Sequence, residues 1–245
     1  MSYERAVRAL SPRAYWTLQG SWPDGAKDLS GNGYHAISLG GSIASLSDAL
    51  MPRGDVAEYS WDLDGVNGTH INFPTAAIDM SGAFSFCFWA KPDAIAGGLN
   101  DARNLFGKVD NAGSSLPHAG NVYVYTVNGG SEFVMKPTLG SPNITCWIGT
   151  YVVGTPYFIA ITCTAGTNPT CTSYVNGVQS WQTAMTGLTT RGDNGDLRFG
   201  AMEAPYWNGA WSGKVSHIAT WNRVLSAAEV KSMWDAAQRN GVVIG

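Results

Sequence analysis

Phe84-Ser85-Phe86-Cys87-Phe88-Trp89-Ala90 is the stretch on which the fold turns. Phe84, Phe86 and Phe88 alternate with Ser85, Cys87 and Trp89, so an extended chain here is apolar on both faces. A strand of that kind belongs in the middle of a sheet that is covered on both sides.

Outward from it the strand signals recur at short intervals. Toward the C-terminus, Asn121 to Asn128, Thr145 to Val152, Tyr157 to Thr164, Thr172 to Asn176 and Leu197 to Gly200 are each bounded by Gly, Pro or Asn. Lys214 to Trp221 reads as a further strand, with Val215, His217, Ala219 and Trp221 on one face. Toward the N-terminus, Trp61 to Phe73 contains Asp64-Gly65 and Asn67-Gly68 and reads as a hairpin entering a strand. Ala14 to Leu18 is a strand, Asp28-Leu29-Ser30-Gly31-Asn32-Gly33 a tight loop, and a second strand follows from Tyr34. The stretch Ile95 to Gly120, rich in Gly, Asn, Asp and Ser, reads as a long functional loop.

Two helices frame the strands. Tyr3, Ala6, Val7 and Leu10 have helical spacing behind Ser2, and Pro12 stops them. Ser226 with Glu229 forms a capping box ahead of a helix over 226–240, whose apolar stripe is Val230, Met233, Trp234 and Ala237. The expected organisation is a helical lead-in over 1–13 and one two-sheet antiparallel jelly-roll sandwich over 14–245. All-β sandwiches reach this length as one unit, and 30 Gly, 10 Trp and 10 Tyr with only 13% charged residues suit many short strands joined by turns.

Composition also narrows function. The formal charge is -3 and Lys and Arg are scattered, which gives no footprint for nucleic acid. No segment is apolar for long enough to span a bilayer, and Met1 to Tyr15 lacks the apolar run of a secretion signal. Cys87, Cys146, Cys163 and Cys171 show no metal-ligand spacing; Cys163 and Cys171 flank a turn-rich stretch and either pair across a hairpin or remain buried thiols.

Five stretches in chain order resemble the laminin G-like, concanavalin A-like jelly-roll family. They are Ala14 to Leu18 with Asp28 to Ala36; Leu63-Asp64-Gly65-Val66-Asn67; Phe84 to Trp89; Tyr174-Val175-Asn176-Gly177-Val178; and Gly213 to Val230. The chain departs from the family where Ser216 and His217 stand in place of an acidic pair on the last strand. A short helix running directly into such a domain is similar to proteins of bacteriophage tails and capsids. The resemblance therefore implies a virion location, as a minor tail or capsid-decorating protein, with host surface glycan or neighbouring virion subunits as partners. A free lectin module is the alternative and a glycoside hydrolase the third class.

Glucan hydrolases on this fold place two carboxylates at strand spacing, broadly E-x-D-x-x-E, and that pattern is missing. The expectation is a protein that binds without catalysing. Candidate ligand residues are Tyr206, Trp207 and Asn208 in an aromatic loop, and Trp181 on the strand after the Asn176-Gly177 hairpin, since exposed indole and phenol rings stack on sugars. Core packing is the competing assignment for Trp181, and burial is expected for Trp211. No cofactor is expected. Asp62 to Gly68 is similar to a calcium loop, but position 73 is Phe73 rather than a bidentate Glu.

Overall fold

The alternating Phe84–Ala90 run lies in β6 (Phe84–Pro92), with β11 (Tyr157–Cys163) paired along one side and β15 (Ser212–Trp221) along the other. The structure, a computed structural model, describes residues 1–46, 49–51, 59–66, 69–94, 103–109, 122–127, 130–135, 144–166, 168–186, 196–200 and 211–238. With strands numbered in chain order, the eight-stranded sheet also holds β1 (Ala14–Trp16), β3 (Ile43–Leu46), β4 (Ser60–Asp64), β12 (Thr170–Val175) and β13 (Val178–Ala184). The seven-stranded sheet holds β2 (Ser38–Gly40), β5 (His70–Phe73), β7 (Arg103–Val109), β8 (Val122–Val127), β9 (Gly130–Met135), β10 (Ile144–Thr150) and β14 (Asp196–Phe199). The orders are β13-β12-β11-β6-β15-β4-β3, with β1 beside the C-terminal half of β15, and β10-β9-β8-β7-β14-β5-β2; every pairing is antiparallel. This is the expected two-sheet jelly-roll sandwich.

The two-sided apolar character of β6 follows from its position. Phe84, Phe86 and Phe88 face the second sheet, where Phe86 meets Phe106 at 4.9 Å and Phe88 meets Phe199 at 5.3 Å between ring centres. Each such buried ring contributes about 1.5–3 kcal/mol. Cys87 and Trp89 face the other way, beneath α1 (Tyr3–Ala9) and α2 (Ala227–Gln238), which supply Tyr3, Val7, Val230, Met233 and Ala237. The layers are thus helices, eight strands and seven strands.

Local chemistry sets the helix starts and the first loop. The Ser2 hydroxyl accepts from Arg5 N at 3.3 Å. Ser226 and Glu229 cap reciprocally: Glu229 N donates to Ser226 Oγ at 3.2 Å and Ser226 N to Glu229 Oε2 at 2.7 Å. The Asp28 carboxylate accepts from the backbone N–H groups of Tyr15, Ser30 and Tyr34 at 2.8–2.9 Å and from the Ser30 hydroxyl. The Asp-x-Ser-Gly-Asn-Gly loop is therefore a carboxylate that fastens β1, with Gly31 and Gly33 at positive φ to turn the chain around it.

Three expectations fail on tertiary grounds. Trp61 to Phe73 is not a hairpin, because β4 belongs to the eight-stranded sheet and β5 to the seven-stranded one. Asp64 shapes the crossing as a turn residue, its Oδ1 accepting from Val66 N at 2.9 Å and Thr69 Oγ1 at 2.6 Å. Ile95 to Gly120 is not one loop, since β7 runs through it with Leu105 and Phe106 buried; a bulge between Asn104 and Phe106 hides the alternation. On β15 the register shifts between Ser216 and Ala219, with His217 at φ 51. Val215 and Ile218 consequently share the inter-sheet core, while Ala219 and Trp221 lie under the helices. His217 is there too, 2.7 Å from the Tyr15 hydroxyl through Nδ1 and edge-on to the Tyr3 ring.

Cys163 and Cys171 are opposed across β11 and β12 and form a disulfide. Trp211 is fully buried.

Candidate functional site

Both sheets end at one lateral margin, β13 closing one and β10 the other. Opposite Ser173 and Tyr174 of β12, β13 carries an extra residue: Tyr174 pairs Gln179 and Ser173 pairs Trp181, leaving Ser180 between them. β10 has its own irregularity between Trp147 and Gly149. The two meet across the margin. Ser173 Oγ donates to the Trp147 carbonyl at 2.6 Å, and Ser180 Oγ donates to the Ile148 carbonyl. Edge carbonyls that would otherwise offer pairing to another chain are thereby occupied from the opposite sheet.

Trp181 stands on this stitched margin and is 52% exposed. At the described positions, Trp16, Trp61, Trp89, Trp211 and Trp221 are fully buried, Trp147 and Trp234 are half-buried, and Trp22 and Trp181 are exposed. Core packing is therefore excluded for Trp181, the last strand of its sheet having no described element beyond it. Val178 to Ala184 contains no charged residue, and Gln179, Ser180 and Gln182 are exposed; the register puts Trp181 on the face of Ser173, and Gln179 and Gln182 on the other face with Tyr174 and Thr172. Gln182 is oriented by a 3.0 Å donation from its Nε2 to Thr172 Oγ1. An exposed indole on a strand that carries no charged residue suits the C–H face of a neutral sugar ring.

A second polar group lies on the outer face of the seven-stranded sheet, the face away from the helices. Ile71, Phe73, Leu197 and Phe199 point into the core, so the alternating Asn72 and Arg198 point outward. Register aligns Ser38, Asn72, Arg198 and Gly107 in one row. Asn72 Nδ2 donates to Ser38 Oγ at 2.8 Å, and its buried Oδ1 has no hydrogen-bond partner among the described residues. The row presents hydroxyl, carboxamide and guanidinium groups side by side, with Arg198 only 7% exposed. The period-2 pattern of His70 to Phe73 marks Asn72 as outward in the sequence; nothing there pairs it with Arg198, more than a hundred residues away.

Tyr206, Trp207 and Asn208 lie outside the described residues, as does the Asn67-Gly68 part of the calcium-like segment. Among the described residues no group of three or more His, Cys, Asp or Glu side chains is placed to hold a metal ion. Glu4 pairs with Arg8, and Glu229 with Arg223, each in a helix-end role. Burial pushes the Cys87 thiol up to about 12 and the Cys146 thiol up to about 11, which removes both as nucleophiles near neutrality.

Residues 64–231 match a laminin G model described as concanavalin A-like lectin/glucanases superfamily. A search of the curated proteins finds no match. Among solved structures, domain 4 of the extracellular arabinanase AbnA from Geobacillus stearothermophilus, in complex with arabinotriose, is similar at TM-score 0.65 and 16% identity, covering 91% of this chain and 97% of that one. The binding domain of botulinum neurotoxin serotype D/C is similar at TM-score 0.68 and 15% identity, covering 94% of this chain and 53% of that one. The botulinum neurotoxin type G receptor-binding domain is similar at TM-score 0.62 and 14% identity over 91% and 51%. This chain spans about half the length of those toxin domains. At such identities the likeness shows the fold alone.

Proposed function

From the premise that the chain belongs to the concanavalin A-like lectin/glucanases superfamily, we propose that it is a carbohydrate-recognition module that binds without catalysing. The observation that carries this reading is Trp181, an exposed indole on a margin strand held in place by hydroxyl bonds to the opposite sheet. Leaving a large ring in water forgoes about 1.5–3 kcal/mol of burial, and a fixed ring loses little entropy when a ligand covers it. Tyr206, Trp207 and Asn208 extend the ligand-contacting set in this proposal. An arabinanase domain solved with arabinotriose and a botulinum neurotoxin receptor-binding domain share the architecture, which fits a binding role.

At a finer level we read the module as a virion component, a minor tail or capsid-decorating protein, that attaches to host surface glycan or packs on neighbouring virion subunits. The support is the resemblance of a short helix leading straight into such a domain.

The test is titration of intrinsic tryptophan fluorescence with a panel of neutral and acidic oligosaccharides. Saturable quenching that Trp181→Ala weakens at least tenfold, with an unchanged melting temperature, is the expected result. No quenching by any saccharide would sink the reading. Release of reducing sugar, lost on changing a carboxylate, would overturn the non-catalytic assignment. Mass spectrometry of purified particles decides the virion role: absence from particles leaves a free lectin.

A further inference from the structure

We propose that Trp22 and Tyr59 form a second sugar-binding platform, at the opposite margin of the eight-stranded sheet from Trp181. The proposal rests on the carbohydrate reading above but concerns residues which that reading does not use.

Trp22 and Tyr59 are both exposed, at 39% and 37%, and both are fixed around one backbone carbonyl. Gly20 O accepts from the indole N–H of the buried Trp61 at 2.8 Å and from the Ser45 hydroxyl at 2.9 Å. The adjacent Gln19 clamps the backbone of Tyr59 on both sides, with Oε1 accepting from Tyr59 N at 2.8 Å and Nε2 donating to Tyr59 O at 3.3 Å. Gly25 N donates back to Ser21 O at 2.8 Å, and Gly25 approaches Gly20 so closely that a Cβ there would sit 2.6 Å from the Gly20 oxygen. Trp22 leans on Trp61 at 6.4 Å between ring centres, at an interplanar angle of 58°. The loop is thus pinned to β3 and β4 through Ser45, Tyr59 and Trp61, and it holds two aromatic rings at the surface.

The polar ends of those rings identify the kind of ligand. Among the described residues, neither the Trp22 indole N–H nor the Tyr59 hydroxyl has a hydrogen-bond partner. Asp24 and Lys27, the charged pair that follows Trp22 in the chain, bond to each other at 2.8 Å. Two exposed rings, one ending in an N–H and the other in an O–H, match neutral sugar: its C–H face covers the indole and its hydroxyls reach the polar tips. A purely apolar partner would leave both tips unpaired.

β4 is five strand positions from β13, roughly 24 Å at about 4.8 Å per strand. The two platforms are therefore separate sites, and the module is bivalent toward a glycan-coated surface. Bivalency of this kind raises apparent affinity for a dense surface by about 100-fold or more, without any new contact.

Isothermal titration with neutral linear hexasaccharides of arabinose, xylose and glucose tests this on the intact chain. Two sites per chain are expected in the wild type, one in Trp22→Ala, one in Trp181→Ala and none in the double variant. Trp22→Phe, which keeps a ring against Trp61, and Tyr59→Phe, which removes only the hydroxyl, are expected to weaken the second site at least threefold with an unchanged melting temperature. One site per chain, lost in Trp181→Ala and untouched by every Trp22 and Tyr59 variant, overturns the second platform and leaves the carbohydrate reading standing. No binding by any variant or by the wild type overturns both.

Discussion

The hydroxyl of Ser173, on β12, donates to the carbonyl of Trp147, on β10, at 2.6 Å, so a side chain of one sheet satisfies the backbone of the other. Ser173 is fully buried and its strand is next to the margin. With the neighbouring bond from Ser180 to Ile148, this contact fixes the strand that carries Trp181.

Ser173→Ala is expected to destabilise the fold by about 1–2 kcal/mol, because a buried carbonyl loses its partner. The same change should shift the fluorescence of Trp181 and speed amide exchange in β13 and β10, while Ser173→Thr retains most of the wild-type behaviour. Denaturant unfolding with hydrogen exchange on both variants checks this, and equal stability of Ser173→Ala and wild type would count against the stitch.

The Glu229 carboxyl is held down at about 2, first by hydrogen bonds from Arg223 and then by the Ser226 N–H and hydroxyl. A carboxyl depressed in the folded state adds stability above its unfolded value of about 4.3 and loses it as pH falls through the folded one. Wild type should therefore exceed Glu229→Gln in stability at neutral pH, with the gap closing between about pH 4.5 and pH 2. Paired thermal melts across that range measure the gap; a gap independent of pH would show that the pair contributes nothing.

Cys87 and Cys146 are buried thiols held near 12 and 11 by desolvation, and Cys163 and Cys171 are bonded to each other. Alkylation of the native protein at neutral pH should label no cysteine, unfolding should expose two, and unfolding with reductant all four. Removing the bridge, which links residues 8 apart, should cost about 2.5 kcal/mol on the chain-entropy account. Mass spectrometry after each treatment gives the count.

Gly177 turns the β12–β13 hairpin at φ 76, and a Cβ there would meet Trp234 atoms at 2.7–2.9 Å. Trp234 in turn stacks on Trp89 at 5.5 Å. Gly177→Ala should destabilise by more than about 1 kcal/mol, since strain at positive φ adds to displacement of α2. A melting temperature within a degree of wild type would show that the helix yields freely.

Much of the architecture is readable from local pattern. The alternation from Phe84 to Trp89 announces a strand covered on both faces, and Ser226 with Glu229 announces the start of α2. In both cases the deciding contacts lie on the element itself or follow from its period. The candidate site was less legible. Trp181 sits in a strand that pattern alone assigns to core packing ahead of the surface, and its exposure came from its place at the end of the sheet. Trp22 and Tyr59 are 37 residues apart, and the loop before Trp22 is tied to Tyr59 and Trp61 by hydrogen bonds at Gln19 and Gly20 that no periodicity encodes.

The sequence by itself determined the strand-rich class, the two capped helices and the Asp28 loop, because propensity, side-chain period and capping act within a few residues. Only the tertiary structure decided that β4 and β5 join different sheets, that β15 slips register at His217, and that two serines close the margin against β10. Those outcomes depend on pairing between distant segments, where the energy of a contact is set by what lies opposite a residue and not by what precedes it in the chain.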